Sequence, residues 1–281
     1  MGVYVVTGAA SGMGRATAER LRLDGHRVIG VDLRDVEVCA DLATPHGRRH
    51  ATSAVLALAG GQLDGAVLAA GVGPVPGAGK VELILAVNYF GVIDLLRAWQ
   101  PALAAAGNAK VVVVGSNSTT TMPMVPTGAV RALLRGDLNA AVRAVRRRRV
   151  ATSAMAYGAS KIAVSQWVRR NAVEKDWAGA GIRLNAIAPG AIKTPLLDQQ
   201  LAAPRGAKAI RSFPVPMGGF GDPDHLARWM VFMLSDAAEF LCGSVIFVDG
   251  GSDAHFRARD WPRRVSLPGL PGYAMRMLRR G

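Results

Sequence analysis

A stretch near the start of the chain, Val3 to Arg15, constrains the fold more than any other. Val3 to Val6 is an apolar, mostly β-branched run suited to a central strand, and Gly8, Gly12 and Gly14 follow where the spacing turns helical. Glycine permits a tight turn there and lets a ligand reach the main chain without meeting a Cβ. A helix starting near Met13 then offers free N–H groups and the positive end of its dipole to an anion. The same glycines suit a plain strand-to-helix turn, and only residues further on separate the two. The next strand, Arg27 to Asp32, ends in an acid 18 residues after Gly14. A dinucleotide-binding α/β fold places there the carboxylate that accepts from the adenosine ribose hydroxyls.

Half of the 281 residues are hydrophobic, enough for one extensive core, and no linker-like stretch divides them. A strand beginning at residue 3 leaves no room for a targeting peptide, and no apolar run approaches membrane-spanning length, so a cytoplasmic protein is expected. Cys39 and Cys242 sit far apart in apolar contexts and read as buried thiols in a reducing compartment. His26, His46, His50, His225 and His255 are scattered without ligand spacing, and no metal site is expected. The net charge of +14 looks like a nucleic-acid signal until it is located. Residues 131–149 and 255–281 each carry +6, which leaves +2 for everything else. Two appendages are basic, then, and the body is nearly neutral.

Further strands read from the pattern are Val36 to Ala40, Gly65 to Leu68, Val111 to Val114, Arg183 to Ala188 and Val245 to Val248. Asp41-Leu42 after the third suits an adenine site as well as an ordinary strand-end turn. Ala51 to Ala59 reads as a helix, and Leu83 to Leu103 as one long helix with Asn88 inside it. An unpaired buried amide costs about 1–3 kcal/mol, so Asn88 is either satisfied locally or there for a purpose. The fifth strand delivers Ser116 at its carboxyl end, where ligands bind in open α/β sheets. Tyr157 opens the next helix and shares a face with Lys161, setting a phenol beside an ammonium. Residues 195–221 are too rich in proline and glycine for a long helix and suit a substrate lid with a short helix near Leu196 to Ala203. Asp222 caps a helix that Pro223 starts, with Leu226, Trp229, Met230, Met233 and Leu234 at core-facing spacing.

The pattern from Thr7 to Gly14 resembles the TGxxxGxG of the short-chain dehydrogenase/reductase family, and Asn88, Ser116 and the Tyr157/Lys161 pair follow in that family's order. The resemblance spans about residues 2–254. It is strongest to the family's 3α-hydroxysteroid dehydrogenase/carbonyl reductase group, through Gly30 to Asp35, Ala40 to Thr44, Val87 to Gly91, Arg183 to Gly190 and Pro214 to Gly218. One departure is Ala69, where the family usually carries asparagine. The resemblance implies a single Rossmann-like α/β domain with a seven-stranded parallel sheet, doubly wound by helices, over residues 1–254. It also implies an NAD(H)-dependent oxidoreductase acting on a small hydrophobic alcohol or ketone, a hydroxysteroid or another carbonyl compound.

On that resemblance Tyr157 is the acid/base, the ammonium of Lys161 and a positive nicotinamide pull its pKa down from about 10, Ser116 donates to the substrate oxygen, and Asn88 holds a water that links Lys161 to solvent. The expected cofactor contacts are Gly8, Ser11, Gly12, Met13, Gly14, Asp32, Leu33, Asp41, Leu42, Ala70, Gly71, Tyr157, Lys161, Pro189, Gly190, Ile192 and Thr194. Asp32 repels a 2′-phosphate, and Leu33 and Ser11 stand where NADP-preferring relatives often carry a basic residue, so NAD is expected over NADP. Forty residues separate Ser116 from Tyr157, more than in most relatives, and helical composition over Val130 to Arg149 makes residues 117–152 an insertion. It lies beside helices that pair subunits in relatives, and a homodimer is expected, with a tetramer second. The rival from another class is an NAD-binding scaffold touching nucleic acid through Arg146 to Arg149. The intact Tyr157, Lys161, Ser116 and Asn88 argue against it, and no nucleic-acid partner is expected.

The tail, 255–281, mixes arginines with Trp261, Leu267, Leu270, Tyr273, Met277 and Leu278. From Tyr273 to Arg280 the pattern puts Tyr273, Met277 and Leu278 on one helical side and Arg276, Arg279 and Arg280 largely on the other. Three placements are open to it beside simple disorder: over the substrate cleft, on a neighbouring subunit, or on an anionic membrane. Packing on protein ranks first, because one short helix is a weak membrane anchor.

Overall fold

Side-chain alternation along the strands sorts the core into two layers. The computed structural model describes residues 1–75, 77–202, 204–260, 268 and 270–278. Its strands are β1 (Val3–Thr7), β2 (Arg27–Asp32), β3 (Val38–Cys39), β4 (Gly65–Leu68), β5 (Lys110–Val114), β6 (Arg183–Pro189) and β7 (Val245–Val248). They pair in parallel, in the order β3-β2-β1-β4-β5-β6-β7. In β5, Val111 and Val113 enter one core layer while Val112 and Val114 enter the other. Both faces must therefore be covered, which is why this strand reads as an unbroken β-branched run.

One face carries α1 (Gly12–Leu23) packed on α11 (Pro223–Leu234). The other carries α2 (Pro45–Ala59), α4 (Gly91–Ala105) and α8 (Thr152–Asn171). Between β5 and α8 run a single turn, α5 (Ser118–Thr121), and the two helices of the insertion, α6 (Thr127–Leu134) and α7 (Leu138–Arg146). Those two pack on α8, and α7 also on α3 (Lys80–Leu85). The lid holds α9 (Pro195–Ala202) and α10 (Pro204–Arg211), a second helix that its composition did not disclose. Ala203, the last residue expected in the lid's helix, lies outside the described residues. After β7 come α12 (Ser252–Arg257) and α13 (Leu270–Leu278).

Several elements differ from the sequence reading, each for a physical reason. The strand expected over Val36 to Ala40 shrinks to Val38–Cys39 because the carboxylate of Glu37 takes the N–H of Gly30 at 2.8 Å, replacing a ladder partner. α2 begins at Pro45 rather than Ala51, since Thr44 accepts the N–H of Gly47 at 2.9 Å as cap and proline suits the first position. α8 begins at Thr152, five residues before Tyr157, behind a left-handed Ala151 that gives no capping signal. The long helix through Asn88 starts at Lys80 and is interrupted by a wide π turn over Ala86–Phe90. Trp229 is not core: α11 buries Leu226, Met230, Met233 and Leu234, while Trp229 falls on the flank, 42% exposed, edge-on to Phe232 at 5.9 Å. Cys39 is exposed on the edge strand and Cys242 only partly buried, so the expectation of two buried thiols does not hold.

Among the described residues no helix is long and apolar enough to cross a membrane. In the tail, Trp261, Leu267, Arg279 and Arg280 lie outside the described residues, as do the side chains of Arg276 and Leu278. Tyr273 and Met277 of α13 are exposed, so the described side chains of that face are not buried on the chain's own body.

Arg48 illustrates how α2 secures the loop before it. Its nearly buried side chain pairs with Asp94 at 2.7 Å and donates to the carbonyls of Leu42 and Ala43 at 3.0 and 3.2 Å. Replacing Arg48 with alanine leaves buried acceptors unpaired, with an expected loss of about 1–3 kcal/mol, measured by urea unfolding.

Candidate active site

The sheet order reverses between β1 and β4, and a groove opens there at the carboxyl ends of the strands. Gly8 and Gly12 have φ of +71° and +55°, which disfavour side chains. A Cβ on Gly8 would sit 2.8 Å from the Ala70 nitrogen, and one on Gly14 would overlap the carbonyl oxygen of Gly8. The first turn of α1 therefore lies against the β1 turn and beside the end of β4. Ser11 precedes α1 without capping it through its side chain. Asp32 closes the groove's edge, its carboxylate accepting from the N–H groups of Ala10 (3.0 Å) and Leu33 (2.7 Å).

This groove, about 280 Å³, runs into a larger cleft of about 600 Å³. Gly8, Ser11, Gly12, Met13, Gly14 and Asp32 line the groove with Leu33, Asp41, Leu42, Ala70 and Gly71. Tyr157, Lys161, Pro189, Gly190 and Ile192 line the cleft, and Thr194 stands where the two meet. A glycine cradle that any Cβ would fill, beside a carboxylate held by main-chain donors, fits a dinucleotide. The lining so described holds Lys161 and no other lysine or arginine.

In the cleft, β5 ends at Val114, whose carbonyl accepts from the Lys161 ammonium at 2.7 Å. That ammonium lies 5.9 Å from the centre of the Tyr157 ring. The Ser116 hydroxyl oxygen accepts the N–H of Ser118 at 3.1 Å, which leaves its own proton to donate, and the group lies within hydrogen-bonding reach of the Tyr157 phenol. Asn88 lines neither cavity. Fully buried in the π turn, it accepts the N–H of Val72 at 2.7 Å and donates to the Val72 carbonyl at 2.9 Å, holding the strand exit that carries Gly71. The cluster thus gathers Ser116, Tyr157 and Lys161 around one space, with Asn88 behind it.

Burial raises the pKa of Tyr157 in the protein alone, and the hydrogen bond from Ser116 only partly opposes this. Burial likewise lowers Lys161, to about 8. The expectation joined Lys161 to a bound nicotinamide; in the chain by itself, loss of water around each group sets the direction of its shift. Residues that the sequence did not single out complete the walls: Val72 and Leu83 in the groove, Met122, Ile210, Phe213 and Phe256 in the cleft. The lid's composition hinted at such a wall, and a place over the cleft was one of those open to the tail that begins at residue 255, though Phe256 itself was not singled out.

Fold and site together define an oxidoreductase of the nucleotide-binding α/β class. Residues 2–129 match the family model described as short chain dehydrogenase, and residues 141–253 match the one described as enoyl-(acyl carrier protein) reductase. The chain is 38% identical over 257 residues to a 3-alpha-hydroxysteroid dehydrogenase/carbonyl reductase of Comamonas testosteroni, covering 92% of this chain and 98% of that protein. It superposes on the crystal structure of a 3-alpha-hydroxysteroid dehydrogenase from Pseudomonas sp. B-0831 complexed with NADH, with a TM-score of 0.86 and 44% identity over 92% of this chain and 99% of the other. A cis-4-hydroxycyclohexanecarboxylate dehydrogenase of Sinomonas cyclohexanicum is 31% identical, over 90% of this chain and 96% of its own length. The chain belongs to the short-chain dehydrogenase/reductase family, whose members use a nicotinamide cofactor to act on CH–OH groups.

Burial disfavours the Lys161 ammonium, so the group should lose its proton as pH rises through about 8 instead of its usual 10.5. NMR titration of lysine labelled at Cε, without cofactor, should show one resonance with that low midpoint, absent in Lys161→Met.

Proposed function

We propose that this protein interconverts a secondary alcohol and a ketone with NAD(H), and that its substrate is a 3α-hydroxysteroid/3-oxosteroid or a similarly bulky apolar compound. The observation that carries the reading is the convergence of Ser116, Tyr157 and Lys161 in an apolar cleft opening off the dinucleotide groove. Its 600 Å³ falls in the range of small-molecule sites, and the names of the relatives supply the steroid.

Gly8, Gly12, Gly14 and Asp32 would hold the dinucleotide, which would supply the hydride for reduction of the ketone and accept it in oxidation of the alcohol. Tyr157 supplies the phenolic proton to the carbonyl oxygen as charge develops there. Ser116, whose oxygen is occupied as an acceptor by Ser118, donates to the same carbonyl oxygen and is most valuable when that oxygen is most negative. Lys161 stays within reach of the phenolate left on Tyr157 through its bond to the Val114 carbonyl. Asn88 acts at one remove, fixing the Val72 main chain that shapes the cofactor's edge of the site.

Preference for NAD follows from charge. Asp32 faces the groove, whose lining holds no basic side chain to receive a 2′-phosphate, and Arg34 is outside that lining, 86% exposed beside Asp35. A homodimer is part of the proposal: α6 and α7 cover faces of α3 and α8, while Trp229 and Phe232 on α11 stay exposed. Sedimentation of the full chain at twice its own mass would support this assembly, and a monomer would exclude it.

Reduction of NAD in the presence of a panel of secondary alcohols, hydroxysteroids among them, tests the reaction. Turnover of simple alcohols but no hydroxysteroid would favour a non-steroid carbonyl reductase, and cofactor binding without turnover would leave a scaffold. Tyr157→Phe should lower kcat by about a hundredfold or more with NADH binding kept; retained turnover would overturn the mechanism. Asp32→Ala should weaken NAD and relax the discrimination against NADP in competition titrations, and a wild-type preference for NADP would refute the charge argument.

A further inference from the structure

The chain beyond β7 folds back onto the substrate cleft. Asn117, next to Ser116, donates from its side chain to Asp249 at 3.3 Å, and the same carboxylate caps the N–H groups of Gly251 and Asp253 at 3.0 and 2.7 Å. One turn later Asp253 accepts from the Thr120 hydroxyl at 2.5 Å and from Arg257 through two bonds of 2.8 and 3.1 Å. Ser252 donates to the Pro214 carbonyl at the lid's exit, 2.7 Å away. Helix α12 is therefore fastened on one side to the segment after Ser116 and on the other to the lid.

The large apolar side chain that α12 adds to the cleft wall is Phe256. Its ring is 48% exposed and lies 5.6 Å from that of Phe213, tilted by 39°, with Phe213 just after α10. Both rings line the cavity that Ser116 and Tyr157 line. A half-exposed aromatic pair held by charged and polar bonds to both sides of a cavity is poised to cover an apolar body that protrudes from it, and has nothing to offer a substrate too small to reach it.

Resting on the hydride-transfer reading, we infer that Phe256 and Phe213 form an apolar jaw that selects substrates with a bulky hydrophobic body, making α12 a specificity-determining element. The test uses the full chain and the variants Phe256→Ala, Phe256→Leu and Phe213→Ala. KM and kcat are measured with NADH for cyclohexanone and for the fused-ring ketone 5α-androstan-3-one, and the steroid's Kd for each protein is measured by calorimetry. Phe256→Ala and Phe213→Ala should raise KM and Kd for the fused-ring ketone about tenfold and leave cyclohexanone within about twofold, as expected from losing part of one aromatic contact. Phe256→Leu should restore most of the difference. An equal change for both ketones, or none for either, would overturn the jaw. If wild type turns over neither ketone, the hydride-transfer reading fails, and the calorimetric Kd decides: a tenfold loss in Phe256→Ala sustains the jaw, whereas an unchanged Kd or no binding to wild type overturns it.

Discussion

Main-chain crowding at the first turn is the constraint on which the rest depends. The turn after β1 lies against α1 so closely that Gly14 has no room for a methyl group, and β4 approaches Gly8 from the other side. This contact sets where α1 starts, how near β4 may come, and hence where the sheet reverses and the groove opens. Asp32 completes the arrangement because the N–H of Ala10, in the same turn, fixes its carboxylate. One tight turn thereby orders both the glycine backbone and the carboxylate at the groove's edge.

Reactive side chains are ordered from the other half of the sheet. β5 is buried on both faces and ends in a carbonyl that receives Lys161. Two residues on, the chain turns so that Ser118 feeds its N–H to Ser116. The tyrosine and lysine then need only one turn of a buried helix to stand together. Keeping a phenol and an ammonium in such surroundings is costly to both charges, which is why the protein alone holds each nearer its neutral form.

The strands along the chain, the glycine turn and Asp32 were legible because each rests on local chemistry: glycines where backbone touches backbone, an acid at a strand end, β-branched runs in the sheet. The parallel seven-stranded sheet and the other groove residues were legible only through family resemblance. Ser116, Tyr157 and Lys161 were legible as a set only through family resemblance, since a Tyr-x3-Lys spacing by itself is common. What escaped depends on contacts across the chain. The apolar spacing of α11 could not say on which side of its stripe Trp229 would fall, and polar residues hid the start of α2. Phe256 sits in a segment for which the sequence left several placements open, and Asp253, half-buried against Arg257 and Thr120, ties it to the site.

The π turn at Ala86–Phe90 has a consequence for how this chain can change. An α-helix advances about 100° per residue, and the wider turn takes up one extra residue between α3, which meets α7 and α8, and α4, which meets α2. Removing a single residue from the turn would close it to an ordinary α-turn and leave α3 and α4 near their present faces, whereas a deletion within either helix would rotate its two parts by about 100°. What the removal would take away is the widened backbone from which Asn88 reaches both main-chain groups of Val72. The extra residue therefore serves the strand exit beside the groove, within an element that looks like an ordinary long helix.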